Sequence, residues 1–424
     1  MVKEILYLAF YFPPHAITPS IRALEIAKRL KELGYKIFVI SGKPNKHSQC
    51  NNKLLKEISS PLIMNKQVYS FTFPFDVLEY GLKKLSSRLD FITPSFFFPW
   101  IPLSFFKSRK IIKRNNIQLI YCTGPPFFSL LLGYLLKKVF KIPLIIEYRD
   151  PWSYNPYTIK ENSELYKKMY RKIEKTLINS ADVIIVVSKP LKDFLINKFP
   201  LEVNKDNVYV LPNGLDLNKF LKLTSKTPSK NEIILTFTGK LYLLRDLKPL
   251  IQIVSEVKKL GKLEDISLKI NIFGGYDYNH YANLIKKYKL SKYFYLKGFI
   301  SRDECYKQIQ NSTLPLHIGE NLNYPTISFK VWEYLSMKKK VAYLGLEDSY
   351  TARFLKENNL GFIIPINDIN LGAKKFIQLI EGLSKNKIKT NVKLEQISNY
   401  SWDIIVDNLV KIFNKIFDKT DISC

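Results

Sequence analysis

The chain has 424 residues, enough for two domains rather than one, and its 46% hydrophobic content gives each a core to bury. Lys and Arg number 66 against 37 Asp and Glu, a formal net charge of +29 that favours an anionic partner: nucleic acid, an acidic membrane surface or a phosphorylated substrate. Four dispersed cysteines (Cys50, Cys122, Cys305 and Cys424) form no CxxC pair, and the four histidines are scattered, so neither a disulfide framework nor a dedicated metal site is expected and a reducing cytoplasm fits best.

The first residues, "MVKEILYLAFYFPP", hold too short an apolar run for a signal peptide and break at Pro13 and Pro14, so they read as a buried first strand, "EILYLAF" (4–10). "PSIRALEIAKRLKELG" comes next with Ile21, Leu24, Ala27, Leu30 and Leu33 on one helical face, and Gly34 closes it. "KIFVIS" is the next strand. "FITPSFFFPWIPLSFF" (91–106) is interrupted by Pro94, Pro99 and Pro102 and falls short of the ~20 residues that span a bilayer. Its aromatics are followed by Lys107, Arg109, Lys110, Lys113 and Arg114, a pattern that suits contact with an anionic membrane surface; a buried loop and a solvated helix face is the plain alternative. Further strands are "LIYCTG" (119–124), "PLIIEY" (143–148), "DVIIVVS" (182–188) and "VYVLP" (208–212). Helical stretches between them give the alternation of a parallel sheet covered by helices.

A polar stretch, "KLTSKTPSKNE" (222–232), separates this from a second series: "IILTFTG" (233–239), "LKINIFG" (268–274), "YFYLKG" (293–298), "STLPLHIG" (312–319), "KVAYLG" (340–345) and "GFIIPI" (361–366). The expected organisation is a first α/β domain over 1–221, a linker over 222–232, a second α/β domain over 233–400 and a final amphipathic helix within 401–424.

Ligands of open α/β sheets bind beyond the carboxyl ends of the strands, and five loops there carry unusual residues. In "FYFPPHAITPSIRA" the prolines stiffen the exit, Ser20 is placed to cap the helix, and Arg22 in its first turn opposes the helix dipole and so calls for an anion. The alternative is an ordinary βα loop. In "YRDPW", Arg149 and Asp150 stand where a strand delivers side chains into a cleft, and Asp150 is suited to orient a hydroxyl or accept a proton. A surface Arg–Asp pair before a turn at Pro151 explains them as well. "LPNGLDLNKF" has a tight turn at Asn213-Gly214, with Asp216 placed to cap the next short helix, and alone reads as a hinge. In "FTGKLYLLRDLKPLI", Gly239 permits close backbone approach while Lys240 and Arg245 flank a helix start, which makes a diphosphate cradle or else a solvated basic loop. In "TISFKVWEYLSMKKK", Thr326 or Ser328 caps a helix, Lys330 lies in its first turn and Glu333 stands at i+3; a simple Lys330–Glu333 pair is the plain alternative.

Together "LPNGLD" with Phe220, "FTGKLYLLRD", the "FGG" turn at 273–275 and "FKVWEYLSMKKK" resemble the family 4 glycosyltransferases of the GT-B fold, over nearly the whole chain. The resemblance implies two Rossmann-like domains facing each other across a cleft, with the terminal helix crossing back to the first. It implies a retaining transferase that uses a nucleotide-diphosphate sugar, most often UDP-linked, by front-face displacement. The donor would lie against the second domain through Gly239, Lys240, Arg245, Gly274, Ser328, Lys330 and Glu333. Glu333 would accept two hydrogen bonds from the ribose diol, and Lys240 and Arg245 would neutralise the departing diphosphate without a metal or other cofactor. Arg22, Arg149 and Asp150 would face the acceptor, and Asp150, Lys240 and Arg245 would carry the chemistry.

Several positions depart from the family pattern. The family's Glu-x7-Glu has Pro325 at its first position, with Glu320 and Asn321 nearby. The first loop lacks its glycines, and Asp150 lies where an acceptor-side histidine is usual. The implied setting is assembly of a surface polysaccharide or glycolipid, on a glycan or polyprenyl-linked acceptor, in the cytoplasm or at the inner face of the membrane. A GT-B protein that binds nucleotide or glycan without turnover, and a sugar-nucleotide epimerase, are the rival readings. Donor hydrolysis or transfer separates the first rival, and the need for an acceptor separates the second. No nucleic-acid-binding motif is present, so nucleic acid is not an expected partner.

Overall fold

Strand β1 (Glu4–Leu8) buries four successive side chains, Ile5 to Leu8, as a parallel strand covered on both faces does. The computed structural model describes residues 2–44, 50–69, 100–155, 164–217, 232–242 and 244–421. Phe220 and the stretches 91–99 and 222–231 singled out above lie outside these. The chain divides into two compact units, Met1–Asn213 with Trp402–Cys424, and Gly214–Ser401. The division falls at the Asn213-Gly214 turn rather than at residue 221.

In the first unit β1 is followed by α1 (Thr18–Glu32), β2 (Lys36–Gly42), the short α2 (Lys53–Glu57), β3 (Ile63–Val68), α3 (Trp100–Arg114), β4 (Ile117–Gly124) and α4 (Phe128–Phe140). Then come β5 (Leu144–Tyr148), α5 (Glu164–Ser180), β6 (Val183–Val186), α6 (Lys189–Lys198) and β7 (Val208–Val210). The seven strands order as β3-β2-β1-β4-β5-β6-β7, all parallel, so strand order reverses between β1 and β4. Leu6, Leu8, Ile120, Ile146, Leu130 and Leu136 form part of a fully buried core between sheet and helices.

Two local expectations needed correction. Ser20 does not cap α1: the N-cap position is Ile17, and the Ser20 hydroxyl donates to the carbonyls of His15 and Ile17 at 2.6 and 2.8 Å. Strand β3 was not foreseen, because Asn65, Lys66 and Gln67 interrupt its apolar residues; it is an edge strand with only one neighbour to satisfy. Gly34 ends α1 in the left-handed region at φ 82°, where a Cβ would be strained.

The second unit contains β8 (Glu232–Lys240), α7 (Lys248–Lys259), β9 (Ser267–Gly275), α8 (Tyr278–Lys287), β10 (Phe294–Gly298), α9 (Arg302–Gln310) and β11 (Leu314–Ile318). It continues with α10 (Phe329–Ser336), β12 (Val341–Gly345), α11 (Tyr350–Glu357), β13 (Gly361–Pro365) and α12 (Ile369–Ser384). Its parallel sheet runs β10-β9-β8-β11-β12-β13, with the reversal between β8 and β11.

The last helix, α13 (Trp402–Asp421), belongs to the first unit and packs on α1. Arg29 pairs with Asp403 at 2.6 Å, Lys3 donates to Asn414 at 2.9 Å, and the Phe413 ring lies against Tyr35 and Tyr121. No helix among the described residues is long and apolar enough to cross a membrane.

Candidate active site

Open α/β sheets hold ligands at the point where strand order reverses, here between β1 and β4 in the first unit and between β8 and β11 in the second. In the second unit Thr238 and Gly239 end β8, and His317 lies in β11, with Gly319 and Glu320 just beyond it. Gly274 in β9 has φ 125°, and a Cβ there would stand 1.8 Å from the Gly239 carbonyl oxygen, so the two backbones touch as only glycine permits. A Cβ on Gly239 would come within 3.2 Å of Lys330 Cε, so the lysine stem crosses this glycine.

Lys330 comes from the first turn of α10. Ser328 occupies the N-cap position of that helix but makes no side-chain capping bond, which leaves the helix start uncapped by it. The Lys330 Nζ reaches Thr238 Oγ1 at 3.5 Å. Burial lowers its pKa; Glu333 opposes that shift, while the charges of Arg245 and Arg302 add to it. A cation held this way gains from an incoming anion.

Arg245 forms a part-buried ion pair with Glu320, whose carboxylate also accepts the Tyr242 hydroxyl at 3.3 Å. Among the described residues the Arg245 Nε has no partner and is buried, as is His317 Nδ1. Burial, then the charges of Arg245 and Lys330, push the His317 pKa well down, so its ring is neutral. Lys240 is exposed and its side chain makes no hydrogen bond to another described residue, so it lies at the same strand end but is not preorganised.

The plain Lys330–Glu333 pair does not form. Lys330 turns to β8, whereas Glu333 Oε1 accepts bonds from Arg302 Nη2 at 2.7 Å and Tyr306 OH at 2.8 Å, both on α9. Arg302 also donates to the Tyr306 oxygen at 2.6 Å, so one carboxylate oxygen is fixed by a three-residue chain. Sequence reasoning missed Arg302, Tyr306 and His317, because nothing local marks three residues that only β10, α9 and β11 bring near Glu333 and Arg245.

In the first unit two of the three residues expected at the acceptor have other work. Arg22 is 2% exposed. It donates to Glu147 Oε1 through Nε at 3.0 Å and Nη2 at 2.8 Å, to the Leu211 and Pro212 carbonyls at 3.0 and 2.7 Å, and to Asn213 Oδ1 at 3.4 Å. The anion that Arg22 called for is thus an internal carboxylate, and the assignment of Arg22 to an acceptor is corrected. Burial raises the Glu147 pKa, but the Arg22 charge and bonds from Arg22 and Thr123 outweigh it, and the net shift is downward. Tyr121 OH and Thr123 Oγ1 complete the set at 2.8 and 2.6 Å. Glu147 had a legible signal: one acid inside the apolar run "PLIIEY" demands a buried cation.

Arg149 is similarly engaged, with bonds to the carbonyls of Gly124 at 3.1 Å, Pro19 at 2.7 Å and Pro125. It clamps the loops leaving β1 and β4 at the reversal point, so neither an acceptor contact nor a surface Arg–Asp pair describes it. Asp150 comes next, half-buried at the start of the turn that leaves β5, before Trp152, whose ring stacks on Phe127 at 5.0 Å.

Two parallel sheets of these orders, with a helix returning to the first unit, define the GT-B class of glycosyltransferases. The family model described as Glycosyltransferase Family 4 matches residues 20–219. An uncharacterized glycosyltransferase of Methanocaldococcus jannaschii is 25% identical over 315 residues, 70% of this chain and 75% of that one. The poly(ribitol-phosphate) alpha-N-acetylglucosaminyltransferase of Staphylococcus aureus is 21% identical over 311 residues, 72% of this chain but only 57% of the relative's length. Among solved structures, Anabaena HepE in complex with UDP has a TM-score of 0.65 at 12% identity, covering 98% of this chain and 100% of that one. The family-model match over residues 20–219 and the two relatives support a family 4 glycosyltransferase, an enzyme of the transferase class.

Proposed function

We propose that the protein is a retaining glycosyltransferase that moves a sugar from a UDP-linked donor to a glycan or polyprenyl-linked acceptor during assembly of a surface polysaccharide or glycolipid. The observation that carries this reading is the pair of cations, half-buried Lys330 and buried Arg245, beside the glycine contact of β8 and β9. Fixed cations at a water-poor strand end stabilise the charge that grows on a departing diphosphate. Lys240 adds a third, mobile cation. Glu333, braced through one oxygen, is oriented to take the ribose diol. In front-face displacement the leaving phosphate deprotonates the incoming hydroxyl, and Asp150 is the carboxylate assigned to the acceptor. The cations supply the neutralisation, so metal independence is part of the proposal. The UDP bound to the Anabaena neighbour and the named activity of the S. aureus relative support this choice of donor and acceptor class.

The acceptor reading includes contact with an anionic membrane surface through α3. Leu103 and Phe106 are exposed on that helix beside the exposed Lys107, Arg109, Lys110, Lys113 and Arg114. The whole reading is tested by a thermal-shift screen against nucleotide sugars, with and without chelator, then by transfer to a lipid-linked glycan and assignment of the product anomer. Stabilisation by UDP-sugars, chelator-insensitive transfer and a retained anomer are expected. No response to any nucleotide sugar, or an inverted product, sinks it.

A further inference from the structure

Glu174 lies on α5 and is 1% exposed. Its Oε2 accepts the backbone N–H of Ser153 at 2.9 Å, three residues beyond Asp150 in the turn that leaves β5. The turn is gripped on other sides too. Trp152 stacks on Phe127 and leans on Tyr170 of α5 at 5.5 Å, and Asn155 Nδ2 donates to the Pro151 carbonyl at 3.1 Å. Asp150 sits at the start of this supported turn.

A buried carboxylate ordinarily has a counter-cation, and among the described residues Glu174 forms no ion pair. The charged groups of the elements around it are engaged elsewhere. Arg171 of its own helix lies over the Tyr154 ring, with its Nε buried and unpartnered among the described residues, Lys175 pairs with Glu202, Lys137 of α4 pairs with Asp182, and Arg149 binds the loop carbonyls. From β5 it is faced by Tyr148, whose hydroxyl pKa is pushed well up by burial and by the Glu174 charge. A glutamine would accept the same N–H without any cost of ionisation. An acid at this position adds what an amide lacks, a hold on the turn that depends on charge.

We propose that Glu174 is a positioning residue for Asp150, holding the turn 149–155 in place through the Ser153 N–H. The proposal rests on the reading of Asp150 as the acceptor-side carboxylate. Burial pushes the Glu174 pKa up to about 7, so the hold switches within the neutral range. The charged form draws the N–H more strongly than the neutral form. Transfer therefore rises with pH through that range.

The test measures kcat and donor KM across about pH 6–8 in wild type, Glu174→Gln and Glu174→Ala, beside a fluorescence titration of Trp152 identified with Trp152→Phe. Wild type is expected to show a rising limb in kcat and a Trp152 transition, both centred near 7, with donor KM flat. Glu174→Gln, which keeps shape and acceptor, should lose both transitions while remaining folded. Glu174→Ala should lower kcat by about tenfold or more through misplacement of the turn, with donor KM within about twofold. A wild-type limb that persists in Glu174→Gln, or a Trp152 signal indifferent to Glu174, overturns the proposal. Intact transfer in Asp150→Asn overturns it through the acceptor reading instead. The Trp152 titration tells these failures apart, because it reports the turn without any turnover.

Discussion

Lys330 and Glu333 are three residues apart on one helix, and opposite charges at that spacing ordinarily meet. Here they part, the lysine to Thr238 and the acid to Arg302 and Tyr306, and each end gains a separate role. Glu333→Ala removes charge-assisted hydrogen bonds worth ~1.5–3 kcal/mol. Donor affinity in a titration should fall on the order of 10- to 150-fold at ~1.4 kcal/mol per tenfold; unchanged affinity in the folded variant would refute the ribose assignment. The cations differ by preorganisation. Loss of the half-buried Lys330 or of Arg245 should cost on the order of 10²-fold in single-turnover transfer. Loss of the exposed Lys240, which must be ordered as the donor binds, should cost less than about tenfold. Equal losses at all three positions would contradict that ranking. Arg22 and Glu147 behave as a unit of another kind. Arg22→Ala strands a buried carboxylate and should destabilise the first unit by about 3–5 kcal/mol in urea unfolding, whereas replacing both partners with apolar residues of similar size should recover much of it. A single variant as stable as wild type would show that the pair is not the support described here.

At the scale of elements, the sequence displayed the sheets better than the sites. The strands of the second unit each hold an apolar run bounded by a turn, such as "IILTFTG" and "KVAYLG", and all six were legible for that reason. Strand β3 was not, since its polar residues are tolerated only at an edge. Gly239 and Lys330 could be named from local pattern, because a glycine at a strand end and a cation in a first helical turn each break a local rule, whereas Gly274 came only with the family resemblance. Arg22 and Arg149 break the same rules but answer to Glu147 and to carbonyls far along the chain, and only the sheet order brings those together. On helix α3, Phe106 touches the neighbouring Phe105 ring edge-on and is otherwise 65% exposed amid cations. Flotation with anionic liposomes should recover the protein, at ~1 kcal/mol per basic residue near the surface. Changing Arg109, Lys110, Lys113 and Arg114 to Gln should release it. Binding that ignores those changes would rule out the α3 contact.

For the whole molecule, Glu174 sets a term in stability against pH. The unfolded chain ionises this residue from pH 4.5, while the folded protein keeps the proton until about 7. The folded state therefore binds more protons in that window, and stability falls as pH rises through it, by on the order of 3 kcal/mol, then levels off above it. Glu174→Gln should shrink the difference between unfolding free energies measured near the two ends of the window. An unchanged difference would mean that Glu174 is not the group responsible.

The second unit begins and ends at one place: the Leu215 N–H donates to the Tyr400 carbonyl at 2.7 Å, and Leu215 bridges Ser401. In the first unit Arg22 binds the carbonyls just before the break at 213, and its guanidinium lies 5.8 Å from the ring of Trp402, where the chain re-enters. Residues 214–401 are thus a cassette with its two ends clasped. Such a segment can be excised, or traded for the corresponding part of a relative, by cutting at two adjacent points, and the remainder rejoined by a few residues. Under the proposed assignment of the donor to the second unit and the acceptor to the first, nucleotide choice and acceptor choice become separately inheritable traits, and chimeras cut at these two points should change the donor used while the acceptor stays the same.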